Sequence, residues 1–244
     1  VPVSHPGLNG EHPVQVMVRD VAGNTSGLSA SELVFFVGED CPRLLPKGSY
    51  TGSMSTADAL TPLAVDLVKG DVLSMSVKLT PAVKGASLPL VFDVWLEDGT
   101  QLAIGIPALT GWTSSLTGRC YMIARLGGPN PGFGTWTVGV SVKQNKAAAK
   151  VKATVTTGEV EFEASDGSSL KASLKGAGLD PASVTVIGPD GPVALTASGK
   201  PGSAKFDCVL DQGNGTYRLS FTATGPVTAS LGVKLPKGVA IIEP

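Results

Sequence analysis

Three acidic side chains in close succession, Asp93, Glu97 and Asp98, are the first candidates for chemistry in this chain of 244 residues. Clustered carboxylate oxygens are what calcium needs. Strand alternation puts Asp93 and Glu97 on a solvent face and leaves Asp98-Gly99 to form a turn, so turn chemistry is the expected role. A later stretch of the same pattern has Thr185, Pro189 and Asp190 at those places, too few carboxylates to repeat the site. The only histidines are His5 and His12, which removes a histidine general base from the body of the chain and argues against a His-containing zinc site. Serines are plentiful, but none sits in G-x-S-x-G or has a histidine partner. Glycine-rich loops lead into strands rather than helices, so they do not cradle phosphate.

Three cysteines, Cys41, Cys120 and Cys208, form no C-x-x-C pair. Cys208 alternates with Phe206 and Leu210 and reads as a small buried hydrophobe. Cys41 and Cys120 have a disulfide open to them if the compartment is oxidising. Glu159, Glu161 and Glu163 share one strand face opposite Val160, Phe162 and Ala164, as a solvated face does; three like charges also blunt an edge. Trp95 and Trp112 are either sugar-stacking platforms or contacts between modules. Asn24-Thr25-Ser26 and Asn214-Gly215-Thr216 fit the glycosylation sequon as an accident of turn composition. No catalytic, cofactor-binding or metal-binding residue is assigned, no cofactor is implied, and the chain is not expected to be an enzyme.

The elements that carry these residues are strands. Apolar residues alternate at Val14, Val16 and Val18; at Leu73, Met75, Val77 and Leu79; at Phe92, Val94 and Leu96; and at Trp136, Val138, Val140 and Val142. Tyr217, Leu219 and Phe221, then Ala229, Leu231, Val233 and Leu235, continue the pattern. Turn signals such as Lys69-Gly70-Asp71, Asp166-Gly167, Asp190-Gly191 and Gly213-Asn214-Gly215 separate the runs. This spacing predicts an all-β chain of tandem antiparallel, jelly-roll-like β-sandwiches. Two stretches look helical at first: Ser55 to Val68, which Pro62 interrupts, and Lys146 to Lys152, an uncapped Ala/Lys run taken as a connector. Charged residues make up 16%, against roughly 25% in average proteins. The net charge of −1 leaves no basic surplus for a nucleic acid. No run of about 18 apolar residues exists to span a membrane.

An internal repeat sets the domain count. Residues 67–77 align with 164–174: Gly70 meets Gly167, an offset of 97 residues (167 minus 70), Leu73 meets Leu170 and Val77 meets Leu174. Val65 then meets Phe162, and Gly118-Arg119-Cys120-Tyr121-Met122 meets Gly215-Thr216-Tyr217-Arg218-Leu219 at the same offset. Residues 139–143 match the alternation around Leu231 and Val233. Three segments are expected: a partial β segment over 1–40 and sandwich modules over 41–145 and 146–244. The start at Val1-Pro2-Val3 is expected of a piece of a longer or processed polypeptide.

The first segment, with the stretch 12–26 and Glu32-Leu33-Val34-Phe35-Phe36-Val37, resembles the last two strands of a bacterial immunoglobulin-like domain. Two such strands cannot bury a core alone. Cover by a second copy or a separate chain is expected, the alternative being that the hairpin lies on the first module. The repeated pattern resembles the bacterial pre-peptidase C-terminal (PPC-like) jelly-roll family. Lys69-Gly70-Asp71, Glu97-Asp98-Gly99 and Gly134-Thr135-Trp136-Thr137-Val138 carry it in the first module. Asp166-Gly167, Pro189-Asp190-Gly191 and Gly213-Asn214-Gly215-Thr216-Tyr217-Arg218-Leu219 carry it in the second. Cys120 departs from the pattern at the place of Tyr217, and Ser168 follows Gly167 where the first module has Asp71. The resemblance implies a secreted or cell-surface bacterial protein in which such modules are structural or adhesive. It implies a stalk, adhesin repeat or filament subunit whose partners are other copies of itself or neighbouring domains. The other reading is a carbohydrate- or protein-binding accessory module of a secreted hydrolase, with a glycan as partner.

Overall fold

The computed structural model describes residues 10–14, 32–36, 43–54, 61–81, 90–126, 134–236 and 241–242. A hairpin opens it: β1 (Gly10–Val14) pairs antiparallel with β2 (Glu32–Phe36), Glu11 opposite Phe35. Val16, Val18, Val37 and Cys41 lie outside the described residues, as do Ser55 to Leu60. The next strands are β3 (Arg43–Leu44), β4 (Ser49–Met54), β5 (Thr61–Leu67), β6 (Val72–Pro81) and β7 (Leu90–Leu96). Then come β8 (Gln101–Ile106), β9 (Ala108–Thr113), β10 (Gly118–Leu126) and β11 (Gly134–Lys143). They build a sheet in the order β3-β5-β10-β7-β8 facing a second in the order β4-β11-β6-β9.

A short turn of helix, α1 (Lys146–Ala149), leads on to β12 (Lys150–Val155), β13 (Glu159–Ala164), β14 (Ser168–Gly176), β15 (Thr185–Gly188) and β16 (Gly191–Pro192). β17 (Ser198–Lys200), β18 (Ser203–Leu210), β19 (Gly215–Ser220) and β20 (Val227–Lys234) complete two more sheets, β12-β20-β14-β18-β17 and β13-β19-β15-β16. The chain is all-β. The last strand, β21 (Ile241–Ile242), returns to the first half and pairs with β3, Ile241 opposite Leu44, making that sheet six-stranded. The β3–β5 pairing is parallel.

The two halves share one strand order. β5-β10-β7-β8 corresponds to β13-β19-β15-β16, and β4-β11-β6-β9 to β12-β20-β14-β18. The registers carry the 97-residue offset with them: Val65 pairs with Cys120 as Phe162 does with Tyr217, and Leu63 with Met122 as Val160 does with Leu219. Leu73 faces Val142, and Leu170 faces Val233. Alternation explains the burial. On β13 the apolar Val160, Phe162 and Ala164 point inward while Glu159 and Glu161 are exposed. Each pair of sheets encloses its own core, around Leu63, Leu73, Phe92 and Met122 in the first and around Phe162, Leu170, Phe206 and Tyr217 in the second. Each such side chain contributes about 1.5–3 kcal/mol by leaving water.

The run Lys146 to Lys152 is not an uncapped connector. Only Lys146–Ala149 is helical, and Asn145 caps it, its side-chain oxygen accepting from the Ala147 N–H at 3.0 Å. From Lys150 the alternation of Val151, Ala153 and Val155 wins, because β12 finds β20 to pair with. Four residues of helix are too few to resist that pairing.

The main difference between the cores is at Cys120 and Tyr217. The Tyr217 ring stacks on Phe162 with centroids 5.8 Å apart. Its hydroxyl donates to the Gly213 carbonyl at 2.7 Å and accepts from the Gln212 N–H at 3.2 Å. The ring thereby ties the loop ahead of β19 to the core, a task that a cysteine cannot perform. Tyr217→Phe keeps the ring and leaves both backbone groups without that partner. Urea unfolding of the full chain should show a loss of about 1–3 kcal/mol; an unchanged midpoint would remove this role.

Candidate functional site

The most organised polar arrangement lies where the two sandwiches meet. Inward Leu63, Val65 and Leu67 leave Asp66 on the outer face of β5, and inward Cys120 and Met122 leave Arg119 on the outer face of β10. Register sets the two opposite each other, and Arg119 Nε donates to Asp66 Oδ1 at 3.1 Å. β3, alongside β5, supplies Arg43, whose Nη1 donates to Asp66 Oδ2 at 3.0 Å and across the junction to Asp166 Oδ2 at 2.6 Å. Asn214 closes the ring from the second sandwich. Its Nδ2 donates to Asp66 Oδ1 at 2.7 Å and its Oδ1 accepts from the Asp166 N–H at 2.8 Å.

Asp66 is thus met by three donors from three separate segments. The four charged side chains, Arg43, Asp66, Asp166 and Arg119, are only 11 to 23% exposed and cancel in charge. Burial works against the Arg119 charge, but the Asp66 carboxylate, with Tyr121 and Glu97 behind it, outweighs burial and holds the guanidinium proton more tightly than usual. Further side-chain hydrogen bonds cross the junction. Thr117 on the loop before β10 donates to the Glu163 carboxylate, and Gln144 Nε2 donates to the Val233 carbonyl at 3.2 Å.

The covalent connection is clamped as well. Val68, Lys69, Gly70 and Asp71 form a turn in which Gly70 takes φ +86°, and the Asp71 N–H donates to the Val68 carbonyl at 2.8 Å. Glycine suits that left-handed position because it has no Cβ to clash. Asp71 is fully buried; its carboxylate accepts from the Val68 N–H at 3.0 Å and from the Asn145 N–H at 2.7 Å. Asn145 Nδ2 donates back to the Lys69 carbonyl at 2.9 Å. The residues entering α1 are therefore fixed to the first sandwich. In the second half the matching residue is Ser168, also buried, whose hydroxyl bonds that of Ser165 at 3.0 Å. Burial raises the Asp71 carboxyl above the usual carboxylate range against those backbone hydrogen bonds.

The residues singled out in the sequence fall elsewhere. Asp93 is half-buried rather than on an open face, its Oδ1 accepting from the Gly105 N–H at 2.7 Å. Glu97 Oε2 accepts from the Arg119 N–H at 2.8 Å, and Asp98 Oδ1 from the Thr100 N–H at 2.9 Å, which closes the turn. Glu159 and Glu161 stand in solvent beside Arg218, the nearer contact being 3.2 Å from Glu161, but Glu163 belongs to the junction. Asn214, read as turn composition, is a bridging side chain. Trp95 and Trp112 are half-buried, with Trp112 against the first core. Cys120 is an unbridged thiol with no exposed surface, pushed up to about 12 by burial; Cys208, half-buried, is pushed up to about 11 by burial and by Asp207 and Asp211. Neither thiol forms a thiolate at neutral pH. Among the described residues no three His, Cys, Asp or Glu side chains gather around a point where a metal would sit.

Arg43, Asp66 and Arg119 escaped the sequence reading because an outward polar residue on a strand looks like any solvated one. A signal was present in the repeat: at the 97-residue offset Asp66 meets Glu163, but Arg119 meets Thr216. Two of the chain's five arginines stand at this junction, and a planar guanidinium suits bonding to two carboxylates at once. Chemically, the arrangement is a compensated ionic joint. No family model matches the chain, and no curated protein sequence matches it.

Two outcomes follow from this geometry. Because the folded-state Asp71 carboxyl titrates above its unfolded counterpart, its contribution to stability is greatest in acid and declines as pH rises through the elevated value. Relative to Asp71→Asn, the wild type should therefore lose stability as pH rises from the unfolded carboxyl value of about 4 through the raised folded one; a difference that grows with pH would contradict the assignment. Asp66→Ala leaves Arg43 and Arg119 facing each other without the shared anion, at a cost of about 3 kcal/mol. Calorimetry should then resolve a wild-type transition shared by both halves into two, whereas an unsplit transition would show that the junction carries no coupling.

Proposed function

We propose that this chain is a non-catalytic structural segment of a secreted or cell-surface bacterial protein, a stalk, adhesin repeat or filament subunit. The observation that carries this reading is the ionic joint centred on Asp66, which gives two repeated sandwiches a defined mutual orientation. A spacer has to resist bending between its modules. A joint with charges mostly removed from water, together with a clamped connection, serves that purpose. The secreted bacterial setting rests on the resemblance of the repeats to PPC-like jelly rolls and of the first strands to an immunoglobulin-like domain. The hydroxyl bonding of Tyr217 to the loop ahead of its strand is in keeping with sandwich domains of that general kind. On this reading the partners are neighbouring domains of a longer polypeptide or further copies of the chain, and no cofactor is needed.

The experiment is a glycan array run beside a panel of hydrolase substrates on the full chain. The reading expects no glycan retained at millimolar strength and no turnover above background. Saturable binding lost on Trp95→Ala would replace it with the carbohydrate-binding alternative. Turnover abolished by a single substitution would replace it with an enzyme.

A further inference from the structure

The outer face of the six-stranded sheet holds apolar side chains that are buried although they point away from the core. Phe92 and Val94 face inward on β7 and Met122 does so on β10, so Val91 and Ile123 face outward. Ile123 is nevertheless only 5% exposed and Val91 9%. Ile104, on the edge strand β8 of the same sheet, is 59% exposed. We propose that the β1–β2 hairpin of the same chain docks on this outer face, over Ile123 and Val91.

The path of the chain favours that occupant. β3 runs parallel to β5 at the edge of this sheet, with Arg43 beside Ala64. The residues before Arg43 therefore approach from the end of β5 that starts at Thr61. Ile123 is opposite Pro62, and Val91 is opposite Arg125, at that same end. Only residues 37–42 separate β2 from β3, and six residues reach about 20 Å at most, so the hairpin is held near this face. The second sandwich meets this face around Asp66 and Arg119, and Ile123 stands four residues beyond Arg119 along β10, about 13 Å away.

The chemistry of the hairpin matches. Its strands are written with alternating Val14, Val16 and Val18 and with Leu33, Phe35 and Val37, and an isolated two-stranded sheet is marginal in water. The occupant is the chain's own hairpin rather than a second copy, because the tether keeps the local concentration of the hairpin in the millimolar range.

Amide hydrogen exchange on the full chain, at two concentrations differing about a hundredfold, tests the proposal. The β1 and β2 amides should exchange at least about a hundredfold more slowly than open chain, equally at both concentrations. Ile123→Asp should speed their exchange about tenfold or more while β14 and β20 keep their protection, and Ile104→Asp should leave them unchanged. Open-chain exchange of β1 and β2 in the wild type would overturn the proposal. So would protection that grows with concentration, which would make a second copy the occupant, and so would hairpin exchange indifferent to Ile123→Asp. If that variant does not fold, the wild-type comparison and Val91→Asp decide the matter by the same criteria.

Discussion

A single carboxylate that has to satisfy donors from three parts of the chain constrains how the two sandwiches meet. Asp66 lies at the one place where β3, β10 and the loop before β19 all reach it, with Arg43, Arg119 and Asn214 between 2.7 and 3.1 Å away. Partly desolvated charges of this kind add little net stability when compared with an apolar contact of equal size. They are demanding about geometry, however, because each leaves an unpaired charge if its partner moves. The ring from Arg43 through Asp166 and Asn214 back to Asp66 closes only when both sandwiches hold one relation. The covalent link obeys the same demand through Asp71 and Asn145.

The two halves show how one sandwich pattern has been adapted to two neighbours. Where the second half places Tyr217 on Phe162 to tie down a loop, the first has the small Cys120 beside Val65. Where the second half closes its turn with a hydroxyl pair, Ser165 and Ser168, the first buries Asp71. The serine pair bonds within the turn. The carboxylate accepts an additional N–H from Asn145 beyond the turn, and that is how the turn comes to hold the connection. The buried acid here has a positional role.

Strand positions were legible because period-2 alternation is the direct imprint of one face packed and one face wet. Val160, Phe162 and Ala164 against Glu159 and Glu161 show it plainly. The common strand order was legible through the offset that pairs Leu73 with Leu170. The joint was not. Asp66, Arg119 and Asn214 are the residue types that solvated strands and turns use everywhere, and only the approach of a second body gives them partners. The outward apolar residues of the first sandwich were hidden for the converse reason. Val91 and Ile123 sit inside uniformly apolar runs, Leu90-Val91-Phe92 and Met122-Ile123-Ala124, where alternation fades and neither face stands out. The clamp at Asn145 was missed because a capping side chain before four helical residues carries little periodic signal.

Whether the ionic joint makes the two sandwiches one orienting unit is tested most directly by residual dipolar couplings measured on the full chain in weakly aligning medium. Couplings from β5 to β11 and from β12 to β20 should fit a single alignment tensor, of the same magnitude and axes for both halves. Two tensors that differ in magnitude or rhombicity would mean that the sandwiches reorient independently, and the joint centred on Asp66 would then not set their relation.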